Sequence, residues 1–182
     1  MKFLPFPEIK TERLILRKIE ESDCDVILFL RSDKTVNKFI KRPENRRTKN
    51  KDDALKFITE IDHGIENNKL ISWGITLKNN PEIIGTICLW NFSKNKKIAE
   101  VGYDLNPIFQ RKGIMSEALN CIVNFGFNKL NLSKIEAFTH IKNENSKRLL
   151  EKNGFEFIKN RIDSDNTFNI IFEIENPAAN SH

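Results

Sequence analysis

The sequence predicts an α/β protein whose mixed, largely antiparallel sheet is covered by helices on both faces. Three strand-like segments, 70–77, 83–92 and 98–105, follow one another through short polar turns, and such connections indicate an antiparallel meander. A helical segment then separates strand 98–105 from strand 133–141, which is the pattern of a parallel crossover. The full order of predicted elements is β-α-α-β-β-β-α-β-α-β-β.

The first third of the chain predicts one strand and two helices. Residues Arg13 to Ile19 alternate between apolar and polar side chains, as a half-buried strand does. Ser22 is predicted to cap a helix that runs to Leu30, with acidic residues in its first turn. A second helix is predicted over 52–68 because apolar residues recur on one helical face, at Leu55, Ile58, Ile61 and Ile65.

Two more helices are predicted in the second half of the chain. The first covers 116–130 and turns four apolar side chains inward: Leu119, Ile122, Val123 and Leu130. The second begins after Asn143, whose side chain can accept a hydrogen bond from Ser146 at the third helical position. Gly154 supplies the left-handed residue that ends this helix, and Phe155 provides its hydrophobic closure.

The C-terminal part of the chain predicts a closing hairpin and a tail. Segments 155–160 and 167–174 are predicted to pair, and residues 176–182 are predicted to form a disordered tail. A length of 182 residues suits one domain, so we expect a single domain over 1–182.

The cysteines argue against a disulfide framework and against a zinc site. Cys24, Cys88 and Cys121 are odd in number, far apart in the sequence and without a CxxC pair. We therefore expect no metal and a cytoplasmic location. The sequence has no apolar stretch of 18 residues and no signal-peptide core at its start, so we expect no contact with a membrane.

The stretch Gln110 to Leu119, QRKGIMSEAL, combines features that suit an anion. Arg111 and Lys112 precede Gly113, and a predicted helix follows directly. A helix start presents unpaired N–H groups and the positive end of the helix dipole, and glycine lets a ligand approach the backbone closely. Together they predict a cradle for a diphosphate. The alternative is a basic turn before an amphipathic helix, and the spacing matches neither GxxxxGK nor GxGxxG.

At these residues the sequence resembles the GNAT superfamily of acetyl-CoA-dependent N-acetyltransferases, whose signature is Q/R-x-x-G-x-G/A after the fourth strand. Residues 110–115 match it, with Met115 in place of the small residue, as is familiar in the RimJ/RimL-like branch that acetylates N-termini of ribosomal proteins. The chain resembles that branch at two further motifs. One is TERLILR at residues 11–17, and the other is N-x-x-S followed by LEK-x-GF within residues 143–155. The resemblance covers roughly residues 8 to 175.

The resemblance implies a GNAT fold in which the fourth and fifth strands, 98–105 and 133–141, splay into a V that holds the pantetheine arm of acetyl-CoA. The backbone of Tyr103, Asp104 and Leu105 would bind that arm, and Gly102 would either let it approach the strand or form a β-bulge. The other residues implied in binding acetyl-CoA are Gln110, Arg111, Lys112, Gly113, Ile114, Met115, Ser116, Asn143 and Ser146. A purely helix-capping role is the alternative for Asn143 and Ser146.

The chemistry of acetyl transfer requires a neutral amine and a donor for the leaving thiolate. We interpret Glu100 as the general base, because burial within a covered sheet would raise the pKa of its carboxyl. Asp104 is the second candidate, water without a carboxylate is the third, and an ion pair is the structural alternative for Glu100. By resemblance, Ser146 would stabilise the thiolate. Cys88 and Cys121 are expected in the core, and Cys24 has no base nearby, so direct transfer is favoured over an acetylated cysteine.

The acceptor is predicted as a protein N-terminal α-amine or a small amine. The net charge is +5, and Lys38 to Lys51 hold seven Lys and Arg residues against one Glu, which suits an acidic peptide or ribosomal RNA. Trp73 and Trp90 are expected as core residues or as walls of the acceptor groove. Two alternatives remain: a non-catalytic RNA- or ribosome-binding module, and a CoA sensor of the same fold. Either a monomer or a homodimer is compatible with the sequence.

Overall fold

The computed structural model describes residues 1–180, in which one eight-stranded sheet carries four α-helices. The strands are β1 (Ile9–Lys10), β2 (Leu14–Arg17), β3 (Ile71–Leu77), β4 (Asn80–Trp90), β5 (Ile98–Leu105), β6 (Lys134–His140), β7 (Glu156–Phe157) and β8 (Asn169–Glu175). The helices are α1 (Cys24–Ser32), α2 (Lys51–Glu66), α3 (Ile114–Asn128) and α4 (Glu144–Lys152).

The sheet is mixed and almost entirely antiparallel, which confirms the predicted fold class. Its strand order is β1-β2-β3-β4-β5-β6-β8-β7, and the pair β5–β6 is parallel, as the crossover through α3 requires. The predicted order of elements is confirmed, with the two-residue strand β1 as an addition.

Helices cover both faces of the sheet. On one face the ring of Trp73 in β3 meets Phe125 of α3 edge-on at 5.3 Å between centroids, and Tyr103 of β5 is hydrogen-bonded to Ser146 of α4. On the opposite face Arg31 of α1 lies close enough to Asp104 for the two charges to interact. We call the second surface the acceptor face, because strand alternation places Glu100, Gly102 and Asp104 on it.

Strands β5 and β6 diverge after three paired residues. Ile98–Glu100 pairs with Lys134–Glu136, whereas residues 101–105 have no partner in β6. On its other edge β6 is paired with β8 over all seven of its residues, so β6 stays with β8 and the gap opens against β5. The V implied by the resemblance is confirmed.

The ends of α4 are as predicted, but the start of α1 is not. The Ser146 amide donates to Asn143 Oδ1 at 3.2 Å, Gly154 has a φ of +82°, and Phe155 is buried. Ser22, by contrast, lies inside a 3-10 turn, Glu21–Asp23, and α1 begins at Cys24. The Glu20 amide donates to the Asp23 carboxylate at 2.8 Å, which closes the capping box of that 3-10 turn, and Asp23 precedes α1 without a side-chain cap of its own.

The inward faces of the two long helices agree with the apolar pattern. Ile58, Ile61 and Ile65 of α2 are buried, although Leu55 is half-buried and Ala54 takes the core position instead. In α3, Leu119, Ile122 and Val123 are buried. Leu130 follows the end of the helix and packs half-buried against the core.

Residues after β8 are joined to the loop before β6 and then form a short 3-10 helix, as far as the structure describes them. The side-chain amide of Asn176 donates to the Leu132 carbonyl at 3.0 Å, and Pro177–Asn180 forms a 3-10 helix. The predicted tail begins at 176, and its last two residues, Ser181 and His182, lie outside the described residues. Within residues 1–180, none of the helices combines the length and the apolar character needed to cross a membrane.

Candidate active site

A tight loop joins β5 to α3 at the open end of the V. Arg111 has a φ of +62° and Gly113 a φ of +75°, so two residues within three positions adopt the left-handed conformation. Glycine adopts that conformation without steric cost, whereas arginine does not. The Gln110 side chain donates to the Leu105 carbonyl at 3.3 Å, which ties the loop to the end of β5.

The start of α3 presents backbone amides to this loop. The first helical hydrogen bond runs from the Glu117 amide to the Gly113 carbonyl at 3.1 Å, so the amides of Ile114, Met115 and Ser116 precede it and are available to a ligand. The side chains of Ile114 and Met115 are buried and anchor the helix start in the core. The Ser116 hydroxyl donates to Asn153 Oδ1 at 2.9 Å, which ties the start of α3 to the end of α4.

The cations of the predicted cradle are exposed beside these amides. Arg111, Lys112 and Gly113 are all exposed, and the ammonium of Lys112 lies 5.5 Å from the centroid of the Phe109 ring. The loop, the helix start and the two exposed cations thus lie together, as an anion site would require, and binding of a diphosphate by them stays a prediction.

A clamp of three residues ties this loop and the start of α3 to the turn between β1 and β2. Arg13 Nε donates to Glu117 Oε2 at 2.6 Å and Arg13 Nη1 donates to the Lys112 carbonyl at 2.9 Å. The Thr11 hydroxyl and the Arg13 amide both donate to Glu117 Oε1, at 2.5 and 2.9 Å. Burial would raise the pKa of Glu117, but these hydrogen bonds outweigh it and the pKa is lowered. We call Thr11, Arg13 and Glu117 the loop clamp.

Inside the V, Tyr103 and Ser146 face each other. Their hydroxyl oxygens are 2.8 Å apart, and the pair links β5 to the first turn of α4. Burial raises the pKa of Tyr103 to about 12, against a smaller opposing effect of the Ser146 hydrogen bond. The phenol therefore stays protonated at neutral pH and can donate. Residues 103–105 line the edge of β5 that β6 leaves unpaired, where the resemblance places the pantetheine arm.

Gly102 occupies a regular strand position. It pairs with Cys88 in a β4–β5 register that has no shift, so the β-bulge interpretation is wrong. A Cβ at this position would lie 3.2 Å from Cys88 Sγ and 3.7 Å from Trp90 Nε1. The absence of a side chain therefore keeps the acceptor face open between Cys88 and Trp90.

Glu100 lies where the parallel pairing of β5 ends. Burial raises the pKa of its carboxyl; a hydrogen bond from Asn91 Nδ2 opposes this, and the negative charges of Glu136 and Asp163 raise the pKa further. A carboxylate with a raised pKa beside a ligand cleft is better suited to accept a proton than one with the ordinary value.

Asp104 lies at the other end of the strand. Burial raises the pKa of its carboxyl as well. The Thr86 hydroxyl and amide donate to its Oδ1 at 2.9 and 3.1 Å, and together with Arg42 and Arg31 they favour the ionised form. Both predicted carboxylates therefore face the same side of the V, and Asp104 is the more fully hydrogen-bonded of the two.

A third carboxylate, that of Glu136 in β6, lies beside Glu100 in the sheet. Glu136 is the partner of Glu100 in the β5–β6 ladder and is 7% exposed. Arg161 binds both of its oxygens, with Nη2 at 3.0 Å from Oε2, and so keeps the buried charge paired. Glu136 therefore stays paired with Arg161, and its negative charge still contributes to the raised pKa of Glu100.

The cysteines and tryptophans take different positions. Cys88 is on the acceptor face, but burial raises the pKa of its thiol to about 12, which makes it a poor nucleophile. Burial also raises the pKa of Cys121. Trp73 is fully buried with its indole donating to the Pro7 carbonyl at 2.8 Å, whereas Trp90 is 46% exposed at the edge of the acceptor face.

Residues 13–156 match the family model described as an acetyltransferase (GNAT) domain. This chain belongs to the GNAT acetyltransferase family. The uncharacterized N-acetyltransferase YoaA of Bacillus subtilis is 34% identical over 151 residues, which cover 83% of this chain and 84% of that protein. The family assignment confirms the predicted enzyme class, an N-acetyltransferase with acetyl-CoA as its cosubstrate.

Two solved structures place the fold among known acetyltransferases. A GNAT-family acetyltransferase from Bacillus anthracis superposes with a TM-score of 0.75 at 25% identity, covering 93% of this chain and 98% of that chain. A RimL ribosomal alpha-N-protein acetyltransferase in complex with coenzyme A superposes with a TM-score of 0.78 at 17% identity, covering 93% and 98%. In residues 1–180, no group of three or more His, Cys, Asp or Glu side chains could hold a metal ion.

Several residues of the site were not predicted from the sequence. The loop clamp joins Arg13 to a residue 104 positions away, and Glu136 joins Arg161 across 25 positions. The available signal for the clamp was the TERLILR motif, which contains Thr11 and Arg13 but does not name their partner. The signal for Glu136 was its place in the strand 133–141, opposite a predicted buried carboxylate.

Proposed function

We propose that this acetyltransferase acts on the α-amine of a protein or peptide N-terminus, in a ternary complex with acetyl-CoA. The observation that carries this proposal is a groove whose lining includes Arg42, which lies close enough to Asp104 of the acceptor face for the two charges to interact. The groove has a volume of about 520 Å³ and lies between Lys41–Pro43 and Ser164–Phe168. The N-terminus of a peptide can enter such a groove from solvent. Asp104 and Glu100 lie on the acceptor face of β5, where they could receive its amine.

The α-amine also suits the available base. Its pKa of about 7.7–8.0 leaves roughly a tenth of it neutral at pH 7, whereas a lysine side chain near 10.4 needs far more help. Glu100 would take the proton, directly or through one water, with Asp104 as the second candidate. The name of the RimL structure, an α-N-protein acetyltransferase, supports the same class of acceptor.

On the donor side, acetyl-CoA supplies an activated acetyl group as a thioester. The amides of Ile114, Met115 and Ser116, with Arg111 and Lys112, would hold its diphosphate, and Gln110 and Gly113 would shape the loop. The unpaired edge of β5 would bind the pantetheine arm, with Asn143 at the start of α4 beside it.

The leaving thiolate requires a donor, and the Tyr103–Ser146 pair is suited to supply one. A phenol that remains protonated at neutral pH donates a hydrogen bond, and the Ser146 hydroxyl orients it. Backbone N–H groups of β5 would stabilise the negative charge that develops on the carbonyl oxygen. The raised pKa of Cys88 supports direct transfer over an acetylated cysteine.

The RNA-binding alternative is weakened by ion pairs within the basic loop. Arg46 binds Glu60, Arg47 and Lys49 bind Glu44, and Lys51 binds Asp25. Four of the seven cations in Lys38–Lys51 are therefore already paired with carboxylates of the same chain, which lowers the charge available to a phosphate backbone.

The test is thiol release from acetyl-CoA with a panel of acceptors, followed by mass spectrometry of the products. The panel contains short peptides with a free N-terminus, the same peptides with a formylated N-terminus and one internal lysine, and small amines such as polyamines. The proposal requires acetylation that depends on the free α-amine. Turnover with small amines but not with peptides would contradict it, and CoA binding without any turnover would favour the sensor.

A further inference from the structure

The basic loop, residues 38–51, is divided into a paired and an unpaired part. Its later cations, from Arg46 to Lys51, form ion pairs with carboxylates. Lys38, Lys41 and Arg42 have no carboxylate at ion-pair distance anywhere in residues 1–180. Two of these three, Lys41 and Arg42, line the groove.

Arg42 is held in place while most of its donors remain available. Its guanidinium is half-buried, and Nη1 donates to Asn37 Oδ1, whose own amide is fixed by the Leu30 and Asp33 carbonyls at 2.9 and 2.8 Å. A guanidinium has five N–H donors in a rigid fork that matches a carboxylate. Arg42 is therefore oriented by the protein for a partner that the described residues do not supply.

A second guanidinium lies near the first. Arg31 stacks on the Phe57 ring at 3.5 Å, and its Nε donates to Thr48 Oγ1 at 2.8 Å. Burial, and then repulsion by Arg42, lower the pKa of Arg31 to about 10, and burial lowers the pKa of Arg42. Two half-buried positive charges that repel each other are stabilised by an anion. Asp104 is close enough to offset part of this charge, but it is hydrogen-bonded to Thr86.

Of these two arginines, Arg42 lines the groove, and its charge also interacts with that of Asp104 on the acceptor face. Phe168, on the far wall of the groove, stacks on His140 at the end of β6 with 5.8 Å between ring centroids, and the ammonium of Lys41 lies 4.9 Å from the Phe168 ring. A chain end in the groove would thus meet Lys41 and Arg42 on the side of the loop, Asp165 on the other wall, and Asp104 of β5 close to Arg42. An amine followed by an acidic side chain is complementary to that arrangement.

We propose that Arg42, assisted by Lys41, binds a carboxylate in the first residues of the acceptor, so that the enzyme selects N-termini followed by Asp or Glu. This inference rests on the proposed α-amine acceptor and adds its sequence class. The groove is of the size that holds small ligands and short segments, which favours a peptide over a structured nucleic acid.

The experiment compares peptides that differ in one functional group. Peptides of sequence Ser-Asp and Ser-Asn, with the same neutral continuation, are assayed for kcat and KM with the parent, Arg42→Gln and Arg47→Gln. Arg47 is the matched control, because it is a cation of the same loop that is paired with Glu44. We expect the parent to favour the Asp peptide about tenfold or more in kcat/KM, through KM. Arg42→Gln should bring the ratio near one, and Arg47→Gln should preserve it.

A second variant and a binding measurement cover two cases: an unstable Arg42→Gln protein, and peptides that bind but are not acetylated. Arg42→Lys retains a charge without the fork, so it should retain part of the preference even if Arg42→Gln is unstable. Binding of the same peptides, labelled at their C-termini, to the CoA-saturated protein is followed by fluorescence anisotropy. If peptides are not acetylated, the proposed function fails, but an Arg42-dependent preference in binding still supports this inference.

Three results would overturn the inference. The first is equal use, or equal binding, of the Asp and Asn peptides by the parent. The second is a preference that survives in Arg42→Gln. The third is binding of a short RNA that depends on Arg42 more strongly than binding of the Asp peptide does, which would assign the site to phosphates.

Discussion

Replacing Arg13 with glutamine tests whether the loop clamp prepares the cradle for CoA. The change removes two hydrogen bonds with charged character, from Nε to Glu117 at 2.6 Å and from Nη1 to the Lys112 carbonyl at 2.9 Å. Such bonds contribute about 1.5–3 kcal/mol when buried. The Arg13 side chain is 46% exposed, so screening reduces the expected loss to about 1–2 kcal/mol. If that free energy holds the loop in its binding conformation, the Kd for CoA rises about five- to thirtyfold.

The assay is isothermal titration of CoA into the parent, Arg13→Gln and the control Arg17→Gln. Arg17 lies four positions further along, binds Asp23 at 2.8 Å and also donates to a backbone carbonyl, that of Pro81, at 2.8 Å. Arg17→Gln therefore also loses one ion pair and one hydrogen bond to a backbone carbonyl, but at a position away from the loop between β5 and α3. Because Arg17 is the more buried of the two, its variant should lose at least as much thermal stability while its Kd for CoA stays unchanged.

If Arg13→Gln binds CoA as tightly as the parent, the loop clamp does not contribute to CoA binding. A contribution of the clamp is also refuted if both variants weaken binding equally, because the loss would then reflect general destabilisation. Glu117→Gln provides a check from the other side, since it keeps the shape of the carboxylate but removes its charge. It should weaken CoA binding in the same direction as Arg13→Gln.

Three further predictions concern the loop and the chemistry. Arg111→Gly relieves a left-handed residue, with φ +62°, but removes a cation, so melting should show no loss of stability while the Kd for CoA rises several-fold; an unchanged Kd would contradict a phosphate contact. Because burial raises the pKa of Glu100, the parent's rate should fall as the pH drops through that raised value, when the carboxyl is protonated. Glu100→Gln should be about 100-fold slower near pH 7 and lose this acidic limb; overlapping pH profiles would exclude Glu100 as the base. Tyr103→Phe and Ser146→Ala should each lower single-turnover rates about 100-fold, and the double variant should be little worse than either; additive losses would show that the hydroxyls act separately.

The fold could be predicted largely because its signals are local. The meander β3–β4–β5 is joined by short turns, and the crossover through α3 determines the parallel pairing of β5 and β6. The caps of α4 depend on residues within a few positions of each helix end, and they were predicted correctly. The prediction for Ser22 was wrong for a local reason too, since the Glu20 amide and the Asp23 carboxylate close the capping box of a 3-10 turn that contains Ser22 and precedes α1.

The diphosphate cradle was also a local prediction, because the loop and the helix start are contiguous in sequence. What the sequence could not reveal is which distant side chains hold that loop. Arg13 reaches Glu117 only after β2 has been placed beside the start of α3 by the sheet. A polar residue in a motif indicates that a contact exists, but its partner depends on the tertiary structure.

The acceptor face is less predictable than the donor side for the same reason. Its carboxylates lie on adjacent strands, and Glu136 was not selected because its pairing with Glu100 is set by the β5–β6 register. The basic loop was visible as a run of charges, but the sequence does not show which cations are neutralised. That division depends on carboxylates such as Glu60 and Asp25, which come from two different helices.

A crystal structure of the complex with CoA shows whether the backbone amides at the start of α3 bind the diphosphate. We expect diphosphate oxygens within hydrogen-bond distance of the amides between Gly113 and Ser116, with the pantetheine arm along the unpaired edge of β5. A diphosphate bound elsewhere on the molecule, or a loop occupied by the protein's own side chains at saturating CoA, would contradict this expectation.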